Sequence, residues 1–185
     1  MKGVVFVAGV YGVGKSTMCD RLSEMLGVTA YSAGDLISEC NKELYGKNKK
    51  VKDKDGNQNI LIDSVKYKLQ ENETLILAGH FCILGNDNQP DILPEFVYEK
   101  LMISSIILLE TSVQNITKHL EQRDGKEYSS DLIKEFIMLE RKQAEKISQK
   151  IQVPLIIHEM NFDDSDKDSV ITHLEEVYGE SFIRY

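Results

Sequence analysis

Proline, cysteine and tryptophan are scarce in this 185-residue chain: three, three and none. The cysteines, Cys19, Cys40 and Cys82, stand far apart, with no Cys-x-x-Cys and no Cys/His spacing suited to a metal. That excludes a disulfide framework and a structural zinc site, and predicts free thiols in a reducing cytoplasm. Cys82 has no neighbouring His–Asp arrangement to activate it, so it reads as a small, semi-buried side chain rather than a nucleophile. Long hydrophobic runs are missing as well. The longest, such as 103–109, fall far short of the roughly 20 residues a spanning helix needs. Positive charge is also in deficit: 22 Lys and Arg against 30 Asp and Glu give a net charge of −8. A chain whose main task is to grip a phosphate backbone carries the opposite balance, so nucleic acid is an unfavoured partner.

What is present is ordinary for a globular protein, with 42% hydrophobic and 28% charged residues and a length that suits one domain, 1–185. The opening MKGVVFVAGVYGVGKST has one lysine and a short apolar stretch, as a signal peptide would. The stretch runs straight into a glycine-rich loop, so it reads instead as a buried first strand. Strand-like and helix-like segments then alternate to the end, the pattern of a parallel α/β sheet. Strands are expected at 3–8, 28–31, 75–78, 103–109 and 154–157. Helices are expected at 15–26, from 32 to about 44, and at 60–71, 94–101, 112–122, 130–149 and 168–178. Segment 45–59, YGKNKKVKDKDGNQN, is the most polar and reads as an exposed, mobile loop. Segment 82–93 also reads as a loop. The predicted architecture is a three-layer α/β P-loop fold: a five-stranded parallel sheet flanked by helices, its first strand central, with a short helical lid at about 123–130.

Gly9-Val10-Tyr11-Gly12-Val13-Gly14-Lys15-Ser16 matches G-x-x-x-x-G-K-[S/T] at every defined position, with Thr17 next and an apolar strand before it. Glycines let successive backbone N–H groups curl around a phosphate, and the helix that follows adds the positive end of its dipole. Lys15 is placed for the β- and γ-phosphates of ATP, and the Ser16 hydroxyl for Mg²⁺. No Asn-Lys-x-Asp element that would read guanine is present.

Three further places carry chemistry. Ser32-Ala-Gly34-Asp35 opens a helix after the second strand, and Asp35 is a candidate both for helix N-cap and for substrate contact. Gly79-His80-Phe81 follows the third strand at the sheet edge where such folds bind ligands. Arg123 and Arg141 flank a predicted helical hairpin, from which they can close over a triphosphate. His119, His158 and His173 show no partner in the sequence and read as surface or structural.

On these residues the chain resembles the nucleoside monophosphate kinases, and among them the archaeal-type adenylate kinases most closely, over roughly residues 2–158. The resemblance implies ATP-dependent transfer of the γ-phosphoryl group to a nucleoside monophosphate or similar acceptor. It implies that Lys15, Arg123 and Arg141 act on the transferred group, while Gly34, Asp35, Gly79, His80 and Phe81 border the acceptor. The chain departs from the family's pattern at three points. Ala78 stands where a strand-end Asp orders Mg²⁺-bound water; Tyr11 replaces a common Pro; and Ser38 stands where some members place an arginine for the acceptor phosphate. Asp35 or Glu110 is the candidate replacement carboxylate, and Lys49, Lys50 or Lys52 the candidate replacement cation. The alternatives are a nucleotide-binding regulatory module without efficient transfer, favoured by Ala78, and a polynucleotide or metabolite kinase on the same scaffold.

Overall fold

A computed structural model describes residues 2–41, 54–85 and 89–179. In chain order the elements are β1 (Gly3–Ala8), α1 (Lys15–Leu26), β2 (Ala30–Ser32), α2 (Ala33–Asn41), α3 (Lys54–Glu71), β3 (Thr74–Ala78), β4 (Cys82–Leu84), β5 (Pro90–Ile92), α4 (Phe96–Lys100), β6 (Ile103–Glu110), α5 (Val113–Asp124), α6 (Ser130–Ile151), β7 (Leu155–Glu159) and α7 (Ser165–Tyr178). Five strands form one parallel sheet in the order β2-β3-β1-β6-β7, with helices flanking it. This is the expected α/β fold, with the glycine-loop strand in the middle.

Burial explains the layout. All six residues of β1 are buried, as a strand covered on both faces requires, and its valines suit that setting. The fully buried Phe6, Leu75, Ile76, Leu77, Ile106, Ile107 and Leu108 build the core around it. Each contributes roughly 1.5–3 kcal/mol relative to exposure. Helix α6 lays Ile133, Phe136, Ala144 and Ile147 against the sheet at helical spacing. Turn chemistry sets the ends. Gly27 (φ 62°) and Gly125 (φ 65°) close α1 and α5 in the left-handed conformation, and the Ser112 hydroxyl caps α5 by accepting from Asn115 N–H at 3.2 Å.

Several boundaries differ from expectation, each for a local reason. Segment 82–93 is not all loop: β4 and β5 pair antiparallel, Cys82 with Ile92 and Leu84 with Pro90. Three-residue strands are too short to show alternation, and the proline sits at the first position of its strand, where it is tolerated. The predicted loop 45–59 falls mostly on 42–53, outside the described residues, but 54–59 is already the first turns of α3. Helix α2 starts at Ala33, with Ser32 Oγ accepting the Asp35 N–H at 3.3 Å. Ser32, not Asp35, is therefore the cap. Helix α7 begins three residues early because Asp166 accepts the N–H groups of Asn161, Phe162 and Asp163 and anchors its first turn.

Candidate active site

The chain crosses from one side of β1 to the other after β3, so the loops that leave the carboxyl ends of β1 and β3 part in opposite directions. The crevice between them is where an open α/β sheet accepts ligands. It holds a cavity of about 450 Å³, within the range of small-molecule sites.

The glycine loop forms one wall. Gly9 has φ 144°, and a Cβ there would lie 2.6 Å from the Leu109 carbonyl oxygen and 2.8 Å from Val13 Cγ1, so no other residue fits. Gly12 (φ 81°) and Gly14 (φ 99°) also take backbone conformations that favour glycine. Tyr11, Gly12, Gly14, Lys15, Ser16 and Thr17 line the cavity, while Val13 is buried behind the loop. The Lys15 ammonium donates to the carbonyls of Gly9 (2.8 Å) and Val10 (2.9 Å). Ser16 and Thr17 are exposed at the start of α1, at the positive end of its dipole.

The opposite wall comes from scattered elements. Ser32 at the end of β2, Gly34 and Asp35 from the start of α2, Asn57 and Gln58 from α3, and Gly79 and His80 after β3 all reach the cavity. Gly79 must be glycine, because a Cβ would lie 2.5 Å from the Phe6 ring. The His80 ring centre lies 4.3 Å from that of Tyr11, and the His80 carbonyl accepts the Tyr98 hydroxyl at 2.8 Å. Phe81 is fully buried behind this wall, its ring 5.3 Å from Phe6 and 4.7 Å from Tyr98.

The two arginines separate. Arg123, near the end of α5, lines the cavity. Its guanidinium carbon is 5.9 Å from the Tyr11 ring centre. Two hydrogen bonds to Asp124, at 2.6 and 2.7 Å, orient it, and the Tyr128 hydroxyl holds the same carboxylate at 2.8 Å. Arg141 pairs with Glu110 at 2.9 Å and is not among the lining residues. Burial holds the Glu110 carboxyl above its ordinary value, opposed by Arg141. Asp35 is exposed at the cavity, whereas Glu110 is spent on Arg141. Lys49, Lys50 and Lys52 lie outside the described residues. Cys19 and Cys82 are buried with their thiols pushed up to about 12 by burial, so neither is a nucleophile.

Sequence reasoning missed four partnerships. His119 is not partnerless: its Nδ1 lies 2.8 Å from the Gly12 carbonyl oxygen, its ring packs edge-on against Phe162, and it lines the cavity. His158 is buried with Nε2 2.9 Å from Asp166 Oδ1, and His173 Nδ1 lies 2.8 Å from the Ser169 carbonyl oxygen. Glu140 is fully buried on α6 and accepts backbone N–H bonds from Gly9 (3.2 Å), Phe81 (2.9 and 3.0 Å) and Cys82 (2.8 Å). One signal pointed to it: an acid on the apolar stripe Ile133, Phe136, Ala144, Ile147. A charge there is kept only where something answers it.

Solved structures share this fold along nearly the whole chain. A gluconokinase from Sinorhizobium meliloti 1021 is 14% identical, with 99% of this chain and 97% of that one covered and a TM-score of 0.61. A sugar kinase from Janibacter sp. HTCC2649, in an unliganded structure, is 14% identical, with 97% of each chain covered and a TM-score of 0.61. A shikimate kinase from Bacteroides thetaiotaomicron is 15% identical, with 96% and 98% covered and a TM-score of 0.56. At such identities the likeness establishes the fold. No curated protein matches. A family profile described as AAA domain matches residues 8–136, from the last residue of β1 through the glycine loop and cavity to the first turns of α6. The chain belongs to the AAA-domain family, built on the P-loop fold of these small-molecule kinases.

Proposed function

We infer that this protein is an ATP-dependent phosphotransferase acting on a small acceptor held in the crevice between β1 and β3. The carrying observation is that the glycine loop, the Asp35–His80 wall and Arg123 border a single cavity, so donor, acceptor and a charge-neutralising cation have one shared space. The glycine cradle, in which a Cβ at Gly9 would collide with backbone, fits a polyphosphate; Lys15 would hold its terminal phosphates and Ser16 its Mg²⁺. Bound Mg²⁺ supplies charge neutralisation across the phosphates. The protein's own part is positioning: Lys15 and Arg123 offset charge on the migrating group, and the crevice aligns the acceptor. A cavity that closes over both substrates excludes water and suppresses futile hydrolysis. The free thiols suit a cytoplasmic setting. Among the described residues no helix is long and apolar enough to cross a membrane.

Two acceptor classes follow. The resemblance to adenylate kinases points to a nucleoside monophosphate. The side of the cavity formed by β2, α2 and α3 favours a second reading, a hydroxyl-bearing compound without a phosphate. Its described polar residues there, Ser32, Asp35, Asn57 and Gln58, offer hydroxyl, carboxylate and amides, and no Lys or Arg.

ADP release with Mg²⁺ and ATP, against panels of nucleoside monophosphates and of sugar acids and polyols, separates them, with Lys15→Ala as control. Lys15-dependent turnover with one acceptor is expected. ATP binding with no stimulation by any acceptor would instead make this a nucleotide-binding regulatory module, as Ala78 at the end of β3 allows.

A further inference from the structure

Glu140 has no place in the chemistry above, yet it is a heavily engaged buried acid behind the cavity's walls. Its carboxylate sits in a fully buried position on α6 and receives N–H bonds from two chain segments far apart in sequence. Gly9 opens the glycine loop; Phe81 and Cys82 directly follow His80 on the opposite wall. Lys15 grips the carbonyl of Gly9 while Glu140 takes its N–H, so that residue is held from both sides. A buried carboxylate with donors at both oxygens is a joint rather than a metal ligand, because its acceptor sites face backbone and not solvent. Taking such a charge out of water is costly, and replacing it with an apolar side chain would leave three buried N–H groups unanswered.

We propose that Glu140 is a positioning residue: its carboxylate clasps the start of the phosphate-binding loop to the His80–Cys82 segment and so fixes the donor wall of the cavity relative to the acceptor wall. The consequence for turnover rests on the phosphotransferase reading; the clasp itself does not. Burial raises the Glu140 carboxyl to about 7, against the pull of the Phe81, Cys82 and Gly9 N–H groups and of Lys15. The clasp therefore loosens as pH falls through neutrality, when the carboxyl gains a proton and loses acceptor strength. Other ionisable groups face this region: Tyr11, Lys15, His80, Cys82 from β4, Tyr98 from α4, Arg123 of α5 over Tyr11, and the Glu110–Arg141 pair. Burial lifts Cys82 and both tyrosines far above neutrality. His80 carries the imidazole packed on Tyr11 in this region, and its ring signals are followed separately.

The test is amide NMR of the wild-type protein from mildly alkaline to mildly acidic pH, with Glu140→Gln beside it and steady-state kinetics on both. The Gly9, Phe81 and Cys82 amides are expected to follow one shared titration curve, separate from any change in the His80 ring signals. Relative to neighbouring amides they should lose about tenfold in exchange protection on the acid side. In Glu140→Gln the curve should vanish and the protection should be low throughout. Turnover of the variant should fall about 10–100-fold while KM for ATP stays within about threefold. Three amides that titrate independently, or keep their protection in the variant, overturn the proposal. So does a variant with wild-type turnover. If Glu140→Gln does not fold, the wild-type titration decides alone. A wild-type protein that turns over no acceptor sinks the phosphotransferase reading and leaves the clasp to the amide result.

Discussion

The two walls of the cavity are built on opposite plans. The donor wall is largely backbone: one loop of nine consecutive residues, Gly9–Thr17, of which Tyr11, Gly12 and Gly14–Thr17 line the cavity. The acceptor wall is side chain, gathered from the start of α2, from α3, from the turn after β3, and from α4. Backbone groups are the same in every chain, so a wall made from them needs fixed spacing and glycine and recurs across many chemistries. A wall of side chains changes with each substitution and carries specificity. One fold can therefore keep its phosphate site while its acceptor varies.

The largest expected effect tests the donor wall. Lys15→Ala removes the one ammonium on the glycine loop, and kcat/KM should fall about 10³-fold, as losing a preorganised charge at a phosphoryl group commonly costs. The variant should stay folded, because the bonds of the Lys15 ammonium to the Gly9 and Val10 carbonyls lie within the loop itself, so the loss is read in activity. Rates measured at several ATP concentrations check this. A loss below about tenfold, small on the scale of such groups, would mean the loop binds nucleotide without taking part in transfer.

The same contrast explains what could be read in advance. The donor wall, the five-stranded sheet and α1 from Lys15 to Leu26 were legible because their determinants are local: a motif with fixed spacing and runs of buried β-formers. Gly79 and His80 were placed at the crevice by their position at the end of β3, and Gly34 and Asp35 by the family resemblance together with their position after β2. Glu140 was legible only as an acid on the apolar stripe of α6, not in its partners. It lies 131 residues from Gly9 in sequence, and no local pattern states which backbone groups a buried carboxylate will answer. Asn57 and Gln58 were hidden because the polar residues before Ile60 look like loop, whereas α3 starts at Lys54 and turns both amides inward. The loop expectation over 45–53 falls outside the described residues, whereas the short lid expected at about 123–130 lies on the end of α5, the connection 125–129 and the start of α6.

A middle-sized effect asks which arginine belongs to the donor side. Arg123 touches the cavity and is held by Asp124 and the Tyr11 face; Arg141 is tied to Glu110 away from it. Arg123→Ala should lower kcat about 10²-fold, within what a single charge on the transferred group supplies. Arg141→Ala should stay within about threefold, since a half-exposed ion pair contributes little. Equal losses would show that Arg141 leaves Glu110 and joins Arg123 when substrates bind.

The smallest expected effect belongs to the acceptor wall, and it divides the two walls most sharply. Asp35 is exposed at the cavity in the first turn of α2, and Ser32 already caps that helix through the Asp35 N–H. Asp35→Asn therefore keeps the cap and the side-chain shape while removing one negative charge. For a hydroxyl-bearing acceptor, loss of a charged hydrogen-bond acceptor should raise the acceptor KM about tenfold, the scale of one such bond. KM for ATP should be unchanged, because the donor wall is largely backbone and lies across the crevice. For a nucleoside monophosphate the sign reverses: removing a carboxylate near an incoming phosphate relieves repulsion and should lower the acceptor KM. One substitution, read in two KM values, thus reports both whether the walls act independently and which class of acceptor the crevice was shaped to hold.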